Sequence, residues 1–192
     1  SSENFFENLS DWNLSKYISS KKRREGIVNK YEKISTEYID QQLQKYWVSI
    51  IVLWDDKYPE SLKNIPHTPY ILYVRWKITE WDMFWVVWSR KISEYGKKVI
   101  QNIVPEVSKV FPVVSWWAAG CDTYAHKASL DAWNSTVVVV WTGIDQCYPV
   151  SNQNLFNQVV EHNGAIISIF RIWEPGNPYN FPVRNEIVVW LS

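Results

Sequence analysis

Glycine is scarce in this chain. Its 192 residues include 6 Gly, where ordinary usage would give about 13, so tight turns and close backbone approaches lack their usual residue. Cysteine is scarcer still. Cys121 and Cys147 are the 2 thiols, too few for a disulfide scaffold and in no paired metal spacing, so no metal site or disulfide framework is expected and a reducing cytoplasm is the expected compartment. Net charge is absent, with 20 Lys+Arg against 20 Asp+Glu, and no basic domain announces a nucleic-acid partner through composition. Long apolar runs are missing too: the stretch from Val137 to Trp141 is far too short to span a bilayer, and no charged-then-apolar leader opens the chain. Neither a membrane nor a secretory protein is expected.

What is present in excess is tryptophan, 13 residues in a chain that is 46% hydrophobic. Most of them stand where a chain turns tightly, so a large aromatic core does not account for them. Position matters more than count.

Residues 1 to about 46 are polar with scattered aromatics. Ile27, Tyr31, Ile34 and Tyr38 recur at intervals of three and four, which predicts short helices forming a small N-terminal lobe. The basic cluster Lys21 to Arg24 reads as a solvated helix end. From Val48 the pattern changes. Strands are expected at Val48 to Leu53, Tyr70 to Arg75, Phe84 to Val87, Pro112 to Ser115, Thr136 to Val140 and Ala165 to Ile169. Helices are expected at about Tyr95 to Val110, Thr123 to Ala132 and Asn154 to His162, with Pro105 kinking or ending the first. Buried strands alternating with amphipathic helices specify an α/β fold, a Rossmann-like, doubly wound, mostly parallel sheet over residues 47–192. Arg184 to Ser192 reads as the first turns of a further helix, so a domain truncated at its C-terminal end is expected.

In such a sheet, ligands bind at the carboxyl ends of the strands, where loops run into helix N-termini. Three loops qualify: Trp88-Ser89-Arg90, Ser115-Trp116-Trp117-Ala118-Ala119-Gly120-Cys121-Asp122 and Trp141-Thr142-Gly143-Ile144-Asp145. A fourth segment reads Asn180-Phe181-Pro182-Val183-Arg184-Asn185. Each of the three loops carries Trp where a phosphate-cradling turn needs Gly, the residue that takes positive φ freely and lets an anion approach the backbone. Written with glycine, the loops become GSR, SGGAAGCD and GTGID. The same exchange repairs ordinary turns at Trp54, Trp76 and Trp133.

With that exchange the ordered series DDKYPESLKNIPHTPYILYVR, GSRKISEYGKK, SGGAAGCDTYAHKASLDAG, VVVVGTGIDQCYPVSN and NFPVRNEIVVGLS resembles the bacterial DNA-processing protein A (DprA/Smf) family, from about Tyr46 to Ser192. Some bacterial lineages read UGA as glycine where other tables give tryptophan, and a gene translated with the wrong table would carry this signature. The resemblance implies a cytoplasmic, non-enzymatic protein with no cofactor and no metal. Its partners would be single-stranded DNA, which it protects on arrival in the cell, and the RecA recombinase, which it loads during natural transformation. It further implies a homodimer formed through the C-terminal part missing here.

Under that reading the phosphate or DNA contacts come from Trp88, Ser89, Arg90, Ser115, Trp116, Trp117, Gly120, Trp141, Thr142, Gly143, Asn180, Phe181, Arg184 and Asn185. Arg90 and Arg184 offer guanidinium forks, the hydroxyls of Ser89, Ser115 and Thr142 offer donors, and Asn180 and Asn185 can bond to phosphate or to the loop itself. Phe181 is a candidate for base stacking or a core anchor beside Pro182. Asp122 is expected to cap the helix that follows it, His126 to be a satisfied structural histidine, and Cys121 to be a packing residue. The rival class is a phosphoribohydrolase-like enzyme or a nucleotide-sensing module of the same fold. The enzyme would need a PGGxGTxxE-like segment with its glutamate, and Asp145 is followed by Gln146 and Cys147.

Overall fold

The computed structural model describes residues 19–31, 36–76, 78 and 82–192. The expected helical residues before 19, together with Ile34, Trp12 and Trp81, lie outside them. Contacts divide the chain into two units, residues 1–45 and 46–192. In the first, helix α1 covers Lys21–Tyr31 and α2 covers Thr36–Lys45.

The second unit holds a six-stranded sheet ordered β1-β2-β6-β5-β4-β3. Strand β1 is Val48–Val52, β2 Ile71–Arg75, β3 Phe84–Trp85, β4 Val113–Trp116, β5 Thr136–Val139 and β6 Ala165–Ser168. Strands β3 to β6 run parallel, whereas β1 and β2 pair antiparallel and join the sheet through β6. All of β5 and β6 is buried, as strands with helices on both sides must be. Alternation sorts the side chains. Val114, Val137, Val139 and Ile167 meet Ile187, Val188 and Leu191 of helix α6 (Asn180–Trp190) on one face. Val113 meets Ile100 and Val104 of α3 (Glu94–Val107) and Ala125 of α4 (Cys121–Asp131) on the other. Helix α5 is Gln153–Glu161 and packs on β6.

Several boundaries differ from expectation, among them the end of β3 at Trp85 and the start of α4 at Cys121. Helix α3 ends at Val107, with Pro105 in its last turn, and α6 begins at Asn180, so the 184–192 segment is the body of a helix and not its start. The side chain of Ser93 caps α3 by accepting from Gly96 N–H at 3.1 Å.

The tryptophans divide into two groups. Among the described residues, five other than glycine have positive φ: Trp47, Trp76, Trp133, Trp173 and Asn163. Trp133 follows α4 in a Schellman cap, Trp133 N–H donating to Leu130 O and Asn134 N–H to Ser129 O. Helix α5 closes in the same way, with Asn163 at the equivalent place. Trp173 sits third in a turn closed by Glu174 N–H on Arg171 O, with φ 65°, the conformation that a type II turn reserves for glycine. These are glycine positions by conformation. The loop residues Trp88, Trp116, Trp117 and Trp141 are not among them, so the positive φ that made glycine the expected residue of these turns is not what those positions carry. Trp117 is 1% exposed and packed against His126 and Phe156, ring centroids 5.3 and 5.5 Å away. Its indole lies in the core and not in an anion site.

This division gives opposite outcomes for one substitution. Trp133→Gly removes a left-handed penalty and is expected to raise stability by about 1 kcal/mol. Trp117→Gly empties a filled core site and is expected to lower it by about 4 kcal/mol. Urea unfolding of the two single variants checks both signs.

Candidate nucleic-acid interface

The parallel strands end together, and their loops form one rim. Gly120 is the contact point between the loops after β3 and β4. Its φ is 90°, and a side chain there would collide with the carbonyls of Ser89 and Arg90. With that approach allowed, Cys121 N–H donates to Ser89 O at 3.1 Å, tying the start of α4 to the first loop. Ser89 turns its hydroxyl to accept from Lys91 N–H at 3.0 Å.

The loop after β3, Trp88, Ser89 and Arg90, is exposed throughout. The Arg90 guanidinium carbon lies 5.4 Å from the centre of the Phe181 ring. The Trp141 indole is stacked on that ring, centroids 4.2 Å apart and planes 21° from parallel, and Tyr148 meets the indole edge-on at 5.4 Å. Phe181 is half-buried, an aromatic surface at the mouth of the rim. Asn180 takes the second of its two expected roles and donates from Nδ2 to Trp141 O at 3.0 Å, holding the start of α6 against the loop after β5.

Other expected contacts are turned inward. Ser115 donates its hydroxyl to Val86 O. Thr142 donates within its own loop, with Gly143 O at 3.1 Å and Gln146 O at 3.0 Å, while its carbonyl accepts from Ser168 Oγ. Neither hydroxyl is offered to an anion, because both residues are buried. Gly143 gives its N–H to Glu174 O at 2.8 Å, and a Cβ there would press on Arg171 O. Its absent side chain joins two loops. Asn185 keeps a buried Oδ1 without a partner.

Arg184 is 2% exposed. It donates to Val139 O at 3.1 Å, and its guanidinium carbon lies 5.1 Å from the Trp116 ring and 5.5 Å from Phe181. Burial lowers its pKa to about 10, against the pull of Asp122. Indole and ring cover the cation, so Arg184 lies under the rim while Arg90 lies on it.

Asp122 does not cap its helix. Gly120 holds the N-cap position without a side-chain bond, and Asp122 reaches back to accept from Ala118 N–H at 3.3 Å. Burial raises its pKa to about 6, opposed by the N–H groups of Ala118 and Trp88 and by the charges of Arg184 and Arg90. One turn further along α4, His126 is wholly buried. Its Nε2 is 2.9 Å from Trp116 O, a carbonyl that can only accept, so this nitrogen carries the proton. Nδ1 meets the Thr136 hydroxyl at 2.8 Å. Burial lowers the pKa of His126 to about 4. The Cys121 thiol is buried in the α3–α4 core and pushed up in pKa by that burial, as befits a packing residue. Among the described residues no cluster of His, Cys, Asp or Glu could hold a metal ion, and no helix is long and apolar enough to cross a membrane.

Fold and rim define a Rossmann-like protein built to present loops and helix starts at one edge of a parallel sheet. Within that class, the chain belongs to the DNA recombination-mediator protein A family, whose profile matches residues 49–192. It is 29% identical over 167 residues to DNA processing protein DprA of Streptococcus pneumoniae, covering 86% of this chain and 58% of that one. Protein Smf of Synechocystis is 32% identical over 145 residues, 72% of this chain and 36% of the relative. The chain thus spans less than two thirds of either relative. The crystal structure of the Streptococcus pneumoniae protein superposes with a TM-score of 0.70 at 27% identity, over 88% of this chain and 59% of that one. A structure on the single-stranded DNA binding mode of DNA processing protein A from Helicobacter pylori matches at a TM-score of 0.66 and 22% identity, over 77% of this chain and 66% of that one. At that identity it attests the fold.

The two buried titrating groups give pH slopes of opposite sign. Asp122 has its pKa raised from 3.8 to about 6, so its contribution to stability is complete below the unfolded value and is lost as pH rises through 6. His126 has its pKa lowered from 6.5 to about 4, so its contribution is complete above 6.5 and is lost as pH falls through 4. Between those limits folding takes up a proton at one and releases one from the other. Relative to the parent, Asp122→Asn is expected to gain stability with rising pH across this window and His126→Gln to lose it, each on the order of 3 kcal/mol. Unfolding curves at both ends of the window measure the two slopes.

Proposed function

We propose that residues 47–192 bind single-stranded DNA along this rim, and that the protein protects incoming DNA and loads the RecA recombinase onto it in natural transformation, with no catalytic step of its own. Residues 1–46 form a separate helical lobe in this reading. The observation that carries it is the grouping of Arg90, Phe181 and Trp141 at the strand ends. A flat ring lies on Phe181 as a base would, beside an exposed guanidinium suited to a backbone phosphate. The reading also places glycine at Trp88, Trp116 and Trp141 in the functional protein. That opens the rim, removes the indole covering Arg184 and frees the face of Phe181 for a base. The left-handed conformations of Trp47, Trp76, Trp133 and Trp173 support a glycine decoding of UGA at those positions as well, whereas the packing of Trp117 supports a large side chain there. UGA codons at the four left-handed and three rim positions would support this decoding, and UGG codons would overturn it.

The binding test uses the chain with glycine at 88, 116 and 141 and a fluorescent oligothymidylate. Affinity is expected to fall with salt, with a slope of about −0.7 for each phosphate neutralised. Arg90→Ala is expected to weaken binding by about tenfold and to make that slope shallower by about 0.7. Undetectable or salt-independent binding by the folded protein would refute the strand reading. Release of free base from a nucleoside monophosphate would favour the enzyme class instead.

A further inference from the structure

Strand β3 has the sequence of an interior strand and the position of an edge. Phe84-Trp85-Val86-Val87 is apolar throughout, where edge strands ordinarily carry charge or proline against unwanted pairing. β3 is the last strand on its side of the sheet. Its ladder to β4 uses Phe84 N–H on Pro112 O at 2.9 Å and Val86 N–H on Val114 O at 3.1 Å. Backbone groups alternate along a strand, so Trp85 and Val87 turn their N–H and C=O to the free side. Beside that edge lies an open groove of about 640 Å³ between β3 and the flank of α3, its lining including Phe84, Val86, Tyr95, Val99 and Ile103. Phe84, Tyr95 and Ile103 are 39%, 77% and 48% exposed.

We propose that this edge is the seat of a seventh strand, laid parallel to β3 and supplied by polypeptide that follows Ser192. The path of the chain selects that occupant. Helices α3, α4 and α5 cover one face while the chain steps from β3 through β4 and β5 to β6. After β6 it changes face, and α6 crosses beneath β5 and β4. Helix α6 starts at the carboxyl ends of the strands, where Asn180 bonds Trp141 O. Its 11 residues carry the chain back by about 16 Å towards the amino ends. A strand entered from there runs parallel to β3, β4, β5 and β6. Parallel crossovers are right-handed, and with the helix on this face that hand leads from β6 towards β3. β5 and β4 are paired on both sides, so the first free place is beyond β3. The relatives are long enough to supply such a strand, this chain covering 58% of the Streptococcus pneumoniae protein. With the strand in place, the loop 88–90 stands where the strand order reverses, in the crevice where open parallel sheets hold ligands.

The test compares the chain ending at Ser192 with the product of the same reading frame carried on to its stop codon. By NMR hydrogen exchange, the amides of residues 85 and 87 are expected to exchange about a hundredfold more slowly in the longer chain, at every protein concentration. Ile103→Glu is expected to lower the melting temperature by about 3 °C or less in the shorter chain, where that side chain is half in water. In the longer chain, where the new strand covers it, the same change is expected to lower it by about 10 °C. Equal exchange at 85 and 87 in the two chains, with equal melting shifts, would overturn the proposal, as would a stop codon directly after Ser192. Protection that grows in the shorter chain as its concentration rises would overturn it too, by making a second copy the occupant. Oligothymidylate binding enters none of these outcomes, so the DNA-binding reading of the rim stands or falls separately.

Discussion

The strand-end rim depends on the contact at Gly120. Three elements converge there: the loop after β3, the loop after β4 and the first turn of α4. They fit because residue 120 has no side chain and a φ of 90°. From that contact follow the bond from Cys121 to Ser89, the placing of Asp122 and His126 under the two loops, and the exposure of Arg90 beside Phe181. A side chain at 120 would push the first loop off the helix and separate the guanidinium from the aromatic ring. The sheet would survive. The rim would not.

The rim is layered. Arg90 and Phe181 are its surface, Trp88 and Trp141 cover it in the chain as written, and Arg184, Asp122 and His126 lie beneath. Hydroxyls that a reading of loop composition assigns to the ligand, those of Ser115 and Thr142, belong to the lowest layer and hold one loop to the next. A phosphate site built on such loops draws its donors from backbone N–H groups and the exposed guanidinium, while its polar side chains keep the backbone in place.

Much of the architecture was legible in the sequence. β-branched runs separated by amphipathic segments located all six strands, most cleanly β4, β5 and β6, whose residues are nearly all buried and so admit few polar side chains. The ordered motifs identified the family, since their spacing is set by strand, loop and helix lengths together. The site was less legible. Spacing shows that Ser115, Thr142 and Arg184 lie near strand ends, but the direction of a side chain there depends on a turn whose geometry no single residue determines. Asp122 is an example: a carboxylate at a helix start is the usual cap, yet the cap position falls on Gly120 and the carboxylate turns back to the loop. The tryptophans misled in part for the same reason. Trp133 and Trp173 do occupy glycine conformations, whereas Trp117, alike in sequence context, fills the core. One signal went unread, namely that Asp122 and His126 stand one turn apart at the start of a helix that closes over two loops.

The two groups of tryptophan have an optical consequence. Trp117 is sealed among His126, Phe156 and the Cys147 sulfur, which its indole N–H reaches at 3.4 Å. Such an indole emits blue-shifted light and is dimmed by its thiol neighbour. Trp54, Trp88 and Trp133 stand in water, and in the chain as written their red-shifted emission dominates the spectrum. A protein with glycine at the exposed sites loses that emission and shows the sealed indole far more clearly, so the colour of its intrinsic fluorescence distinguishes the two compositions without sequencing the gene.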